Sequence, residues 1–494
     1  MCNCNAQENE GIQAGSHGGS VNRPAGLSAG AVGLVGGHPQ RAVCAIAARD
    51  RNVAGARHHL FGFHDVTPWS CDLQHMLALQ VERIDHPPLA DTVASVGVID
   101  MAVGAFIRHD ETVGWNFPQG ARQIWLADGK RYAYNCPDGS LPRCRVRTQS
   151  GQLVRELPWG VAAVSPCTDE LFSIDFGRVH RAGGYGHTGV LPWRDNVPSR
   201  DASGVLKVNV ATGAVTPLAS LEECRRAVAG GNAAHAEADL DYVTHVVPSP
   251  NGDHLAFLYR SWLADGGMDT ALCVVSTQGG GFRVLHRGNL SHFDWRDDHS
   301  VVIWGPRRQL VTALRGRGTA KRGWGSLVLR RIKDCVRPFV RGTGLLSAAF
   351  LLVPLDGSPP KPFCDGCFTG DGHPSFCPSD RSWMLCDTYP DRRGNRDLFL
   401  IDTTLHAKHM LGVFHEPTLP LDASCFDKAA EGVDAEVLKL VGRERYARAR
   451  SGLHCDLHPR WRRDGGQVTF DSLHDGTRQI YTLDTLELIQ RAGL

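Results

Sequence analysis

A seven-bladed β-propeller is the fold that this chain predicts, and two features of the sequence predict it. Apolar residues come in short runs of Val, Ile, Leu, Phe and Trp bounded by Gly, Pro, Asp and Asn, with little helical periodicity; such runs read as strands and turns. A unit also repeats along the chain. Its plainest copies are GHPSFCPSDRSWMLCDTYPDRRGNRDLFLIDT from Gly372 and LHPRWRRDGGQVTFDSLHDGTRQIYTLDT from Leu457. Each runs His-Pro, aromatic, turn, strand, polar turn, strand, Asp. Weaker copies begin at His64, Gln119, Gly160, His245 and Phe293. The closest-spaced starts match the roughly 40 to 50 residues of a four-stranded blade, and the wider spacings leave room for insertions. One blade alone exposes the faces of a small sheet, whereas a ring of blades buries them against neighbours. A pair of β-sandwiches with coincidental turns is the competing architecture.

In chain order, residues 1–40 are rich in Gly, Ala, Ser and Asn and poor in bulky apolar residues. Ordering them would cost more entropy than their burial returns, so a flexible tail is expected, with the propeller over 41–494. Residues 307–341 hold eleven Lys or Arg and a single acid, Asp334, interleaved with apolar residues. This pattern fits a basic amphipathic insertion that could meet an anionic membrane or an acidic partner, or equally a solvated excursion between blades. Residues 421–450 read as a helical insertion, acids early and bases late as the helix dipole favours, packed over a blade edge.

Lys+Arg 53 against Asp+Glu 52 gives a formal charge of +1, so no global field draws nucleic acid to the molecule and none is expected as a partner. The longest apolar run, residues 345–355, falls far short of the roughly 18 to 20 residues of a membrane span. The first residues lack the basic start and apolar run of a secretory signal, and a cytoplasmic protein is expected. Sixteen Cys without regular spacing then read as mostly buried thiols. No α/β-hydrolase segment follows the repeats and there is no Walker loop, which argues against a propeller peptidase or a nucleotide hydrolase.

Histidine marks the units. His64, His245, His373 and His458 stand at or beside unit starts, and His292 immediately precedes another. A ring of blades would bring such positions to one channel mouth, although each His alone could simply bond a backbone carbonyl. The run His454-Cys455-Asp456-Leu457-His458 offers a thiolate and an imidazole three residues apart, with His292 and His373 completing four ligands from other blades. Three imidazoles and a thiolate suit tetrahedral zinc, with manganese as the alternative divalent ion. Cys364 and Cys367 (CDGC) offer an alternative metal set with His373, but no second C-x-x-C accompanies them and a reduced structural role is expected.

Several segments resemble the seven-bladed propeller polysaccharide lyases, among them oligogalacturonate lyase and the propeller ulvan lyases. They are FGFHDVTPW at 61–69, WNFPQGARQIWL at 115–126, DFGRVHRAGGYGH at 175–187, the His245 unit, SHFDW at 291–295, GDGHPSF at 370–376 and CDLHPRW at 455–461. The resemblance runs over about 58–485, interrupted by the two insertions. It implies a metal site at His292, Cys455 and His458 with His373 as fourth ligand. It also implies His64 and His245 facing the substrate groove, Arg178 and Tyr185 in an active-site segment, and Asn116 and Gln119 as polar groove residues. The sequence departs from the pattern where the turn SPDG becomes SPCT, SPNG and CPSD, and where YNCPDG carries no basic residue directly after YN.

The expected chemistry is β-elimination on an acidic oligosaccharide. A base, His245 or His64, removes the proton on C5 of a uronate; Arg178 or the metal stabilises the enolate-like charge, and Tyr185 protonates the departing C4 oxygen. Without an export signal, the expected substrates are short imported oligosaccharides. The alternative is a non-catalytic propeller of the TolB or WD40 kind that binds protein or glycan.

Overall fold

The computed structural model describes residues 27–35, 38–47, 57–139, 141–187, 201–229, 240–263, 267–307 and 347–486. Seven antiparallel sheets follow one another along the chain. Blades one to six run over His58–Thr112, Ile124–Leu157, Ala163–Ser220, Asp241–Gly288, Phe293–Pro362 and Ser375–His415, each with four strands. The seventh takes Arg460–Trp461, Gln467–Ser472 and Gln479–Asp484 from the end of the chain and His38–Ala47 and Leu27–Val35 from its beginning. Val43 pairs with Thr482 and Cys44 with Tyr481. The two ends of the chain thus close the ring within one sheet.

Those first two strands depart from the expected tail. Over residues 27–40 the cost of ordering is offset by backbone pairing along an edge that would otherwise stay open. Residues 1–26 lie outside the described residues, as does nearly all of the basic insertion, from 308 onward.

Every large apolar cluster spans neighbouring blades. Leu77 and Leu79 of blade one pack with Trp125 and Tyr132 of blade two, and Leu258 and Leu272 of blade four with Trp295 and Ile303 of blade five. A tryptophan at the aromatic position of the repeat ties four of the units to their predecessors. Indole Nε1 donates to the Pro68 carbonyl from Trp125 (2.7 Å), to the Val247 carbonyl from Trp295 (3.0 Å) and to the Ser375 carbonyl from Trp461 (2.9 Å). Trp69 closes the circle on Thr469 Oγ1 of blade seven at 2.7 Å. A buried indole N–H needs an acceptor, and here that need sets the approach of one blade to the next. The turn signature also has a cause: in Ser249-Pro250-Asn251-Gly252, Ser249 Oγ accepts from the His254 N–H, and Gly252 sits at φ 79°, which a Cβ would strain.

Between blades six and seven, helices form over Phe426–Ala429, Ala435–Val441 and Arg443–Arg450. They do not lie along a blade edge. Asp422 pairs with Arg83 (2.8 Å) and its N–H donates to the Asp85 carbonyl, while Glu431 and Asp434 bond the His180–Arg181 backbone or side chains. The insertion therefore spans from the loops of blade one to those of blade three, across one mouth of the channel. Among the described residues no helix is long and apolar enough to cross a membrane.

Candidate functional site

Five histidines meet at the propeller axis. His64 follows the first strand of blade one, His245 lies within the first strand of blade four, and His292, His373 and His458 immediately precede the first strands of blades five, six and seven. Ring centroids of His64 stand 5.4, 5.1, 5.4 and 6.0 Å from those of His245, His292, His373 and His458. His292 and His373 are 4.2 Å apart, and His373 and His458 4.5 Å. His245 and His458 hold left-handed backbone conformations, φ 53° and 44°, the first at an irregularity in its strand register. Non-glycine residues adopt this region seldom and at a cost, and such outliers gather at functional sites.

Four of the rings are oriented the same way. Nδ1 bonds Thr244 Oγ1 in His245 (3.0 Å), Ser291 Oγ in His292 (2.9 Å), the Asp387 carboxylate in His373 (2.9 and 3.0 Å) and the Gly62 carbonyl in His458 (3.1 Å). This leaves each Nε2 turned away from its own blade. The Nε2 atoms of His245 and His373 and both ring nitrogens of His64 are buried without a hydrogen-bond partner. A buried unpartnered polar atom costs roughly 1–3 kcal/mol, so several together point to a missing ligand. Two sets of donor atoms lie within 4.8 Å of one another: His64, His245 and His292, and His373, Asp456 and His458.

Electrostatics keep most of these rings neutral. Burial pushes His64, His245 and His458 well below the usual imidazole range and lowers His292 as well, the neighbouring rings adding to the effect. His373 is the exception: burial opposes its charge, but the Asp387 carboxylate together with Asp456 and Asp371 raises it. Asp456 stays ionised because His454 and Arg396 overcome its burial.

Above the rings opens a cavity of about 240 Å³, lined by His245, His292, His373 and His458 together with Tyr185, Tyr389, Asp456, Arg260, Arg450 and Arg478. The other expected residues lie elsewhere. Cys455 faces away, packed among Ile84, Trp115, Phe117 and Leu453, and burial pushes its thiol up to about 12. In extended chain residues two apart share a face, so Asp456 accompanies His458 toward the axis while Cys455 and Leu457 turn into the core. That alternation was available in the sequence. With the thiolate gone, the donor set is imidazole and carboxylate, which no longer selects zinc.

His64 is 1% exposed and outside the cavity lining, so it does not stand against a substrate there. Arg178 is held by Asp175 (3.6 Å) and Asp241 (3.4 Å) and does not reach the cavity. Asn116 bonds the Tyr185 carbonyl at 2.8 Å and accepts from the Gln119 N–H; both residues are buried and neither lines the cavity. Cys364 and Cys367 sit in an apolar cluster between blades five and six. The cavity arginines escaped the sequence reading because they stand in or beside three different elements and, unlike the histidines, do not recur at unit starts.

No family model matches the chain, and no curated protein matches it. Solved structures do. Oligogalacturonate lyase from Vibrio parahaemolyticus is 11% identical with a TM-score of 0.50, over 93% of this chain and 97% of that one. An oligogalacturonate lyase in complex with manganese is 11% identical over 93% and 96%, TM-score 0.38. The β-propeller domain of the Trilobed protease from Pyrococcus furiosus is 7% identical over 86% and 96%, TM-score 0.42. This chain is a seven-bladed β-propeller, and it shares that fold with the Vibrio lyase.

Proposed function

We propose that the chain is a metal-assisted lyase that cleaves uronate-containing oligosaccharides by β-elimination in the cavity at the channel mouth. The observation that carries this reading is the convergence of unpartnered, neutral imidazole nitrogens with arginines on one cavity. His292, His373, His458 and Asp456 would hold a divalent cation, and the orphaned Nε2 of His373 and the bonds fixing each Nδ1 suit that task. When bound, the cation would polarise the uronate carboxylate and lower the cost of charge developing beside it.

His245 is the base. Its Nδ1 is engaged by Thr244, its Nε2 is free, and burial keeps it in the unprotonated form that a base requires. The C5–H pair becomes the C4=C5 double bond as the C4–O bond breaks. His245 takes the C5 proton, and the Tyr185 hydroxyl gives one to the departing oxygen. Solvent restores both side chains.

The test is to incubate purified protein, with Mn²⁺ or Zn²⁺, on oligogalacturonates, ulvan and glycosaminoglycans while following ultraviolet absorbance of the unsaturated uronate. Product with wild type and loss of at least 100-fold with His245→Ala supports the reading. Silence over the whole panel overturns it in favour of a binding propeller.

A further inference from the structure

The helical insertion brings a cation into the cavity that no blade supplies. Arg450 ends the helix Arg443–Arg450, where a positive charge complements the helix dipole. Its guanidinium lies 4.8 Å over the Tyr185 ring, and Nη2 donates to the Gly183 carbonyl at 3.1 Å. Tyr446, one turn earlier, presses on Gly184 so closely that a Cβ there would come within 2.7 Å of the ring. On the other side, Gly452 packs on Ile84 of blade one and on Phe117 in the link to blade two. Arg450 is thus held over the mouth by tight contacts and not by chance.

Arg260, from the strand His254–Trp262 of blade four, lines the same cavity. It is surrounded by the phenols of Tyr185, Tyr242 and Tyr389. Arg478, the third arginine, already has Asp471 at 3.3 Å. Among the described residues neither Arg260 nor Arg450 has a carboxylate partner, and the Nε of each is buried without an acceptor. Two guanidinium groups with buried, unaccepted Nε donors and no counter-charge are costly, and a bound oxyanion relieves both at once.

We propose that Arg450 and Arg260 together grip the carboxylate of a sugar acid, which makes the insertion at 421–450 the element that selects acidic over neutral sugars. The choice of carboxylate rests on the lyase reading; the guanidinium pair itself also suits sulfate or phosphate.

The experiment is calorimetric titration of wild type, Arg450→Ala and Arg450→Gln with galacturonate, galactose and inorganic sulfate, with and without Mn²⁺. Far-ultraviolet dichroism and thermal unfolding check that the variants fold. Galacturonate should bind wild type at least tenfold more tightly than galactose, and both variants should lose about tenfold or more for galacturonate with galactose unchanged. Equal affinity for the two sugars, or unchanged galacturonate binding in folded variants, overturns the proposal. Sulfate binding as tightly as galacturonate overturns the carboxylate assignment. Galacturonate binding that depends on Arg450, in a protein that cleaves no polymer, leaves the clamp standing while the lyase reading falls.

Discussion

Asp387→Asn isolates the orienting bond behind the proposed metal site. Asp387 is 1% exposed and makes three contacts with one residue: the His373 N–H at 2.8 Å and Nδ1 at 2.9 and 3.0 Å. Asparagine keeps the shape and one acceptor oxygen but removes the charge. The carboxylate both fixes the tautomer that leaves Nε2 free and makes that nitrogen a better donor. Removal of such partners typically costs 10- to 100-fold in metal affinity, or about 1.4 to 2.7 kcal/mol. The assay is calorimetric titration of chelator-stripped protein with Mn²⁺ and Zn²⁺, backed by elemental analysis. The variant should fold like wild type, since the residue's volume and hydrogen-bonding reach are nearly preserved, yet bind metal at least tenfold more weakly. Affinity within twofold of wild type for both ions would refute the assignment of His373 as a ligand.

Three further outcomes follow from the same structure. Cys455→Ala should leave the metal content unchanged, because the thiol packs against Trp115 and Phe117; loss of metal would return it to the ligand set. Stability should fall on acidification below about pH 6.5. Burial lowers His58 to about 4 and His187 to about 3, so the unfolded chain binds protons that the folded one refuses, at about 1.4 kcal/mol per group per pH unit until the folded values are reached. Urea titrations from pH 7.5 to 5 should show this slope, and His58→Asn with His187→Asn should reduce it by the share of those two groups, leaving the share of the buried channel histidines. Finally, Trp69→Phe and Thr469→Val remove the two partners of the ring-closing bond. A double-mutant cycle by chemical denaturation should give a coupling of about 1 kcal/mol, whereas strict additivity would mean that the bond does not join blades one and seven.

The seven units were legible because each is local: a turn, two or three paired strands and an aromatic residue lie within a few dozen positions, and their residue types follow from backbone conformation and alternation alone. The placement of histidine at unit starts was legible for the same reason, and the ring geometry then brought His64, His245, His292, His373 and His458 together. The choice between Cys455 and Asp456 was only partly open, since strand alternation with His458 favours Asp456 but a thiol is chemically tempting.

What the chain determined by itself was a repeating β-architecture and the positions from which a channel site would be built. What only the tertiary structure decided was which side chains reach that site. Arg178 matches an active-site segment yet is captured by Asp175 and Asp241, while Arg260 and Arg450, at no repeated position, arrive by packing. Pairing of the first strands with the last, and the span of the helices from Asp85 to Gly184, are contacts between residues hundreds of positions apart. Local conformational preference carries no information about such contacts, because their free energy appears only when both partners have been brought together.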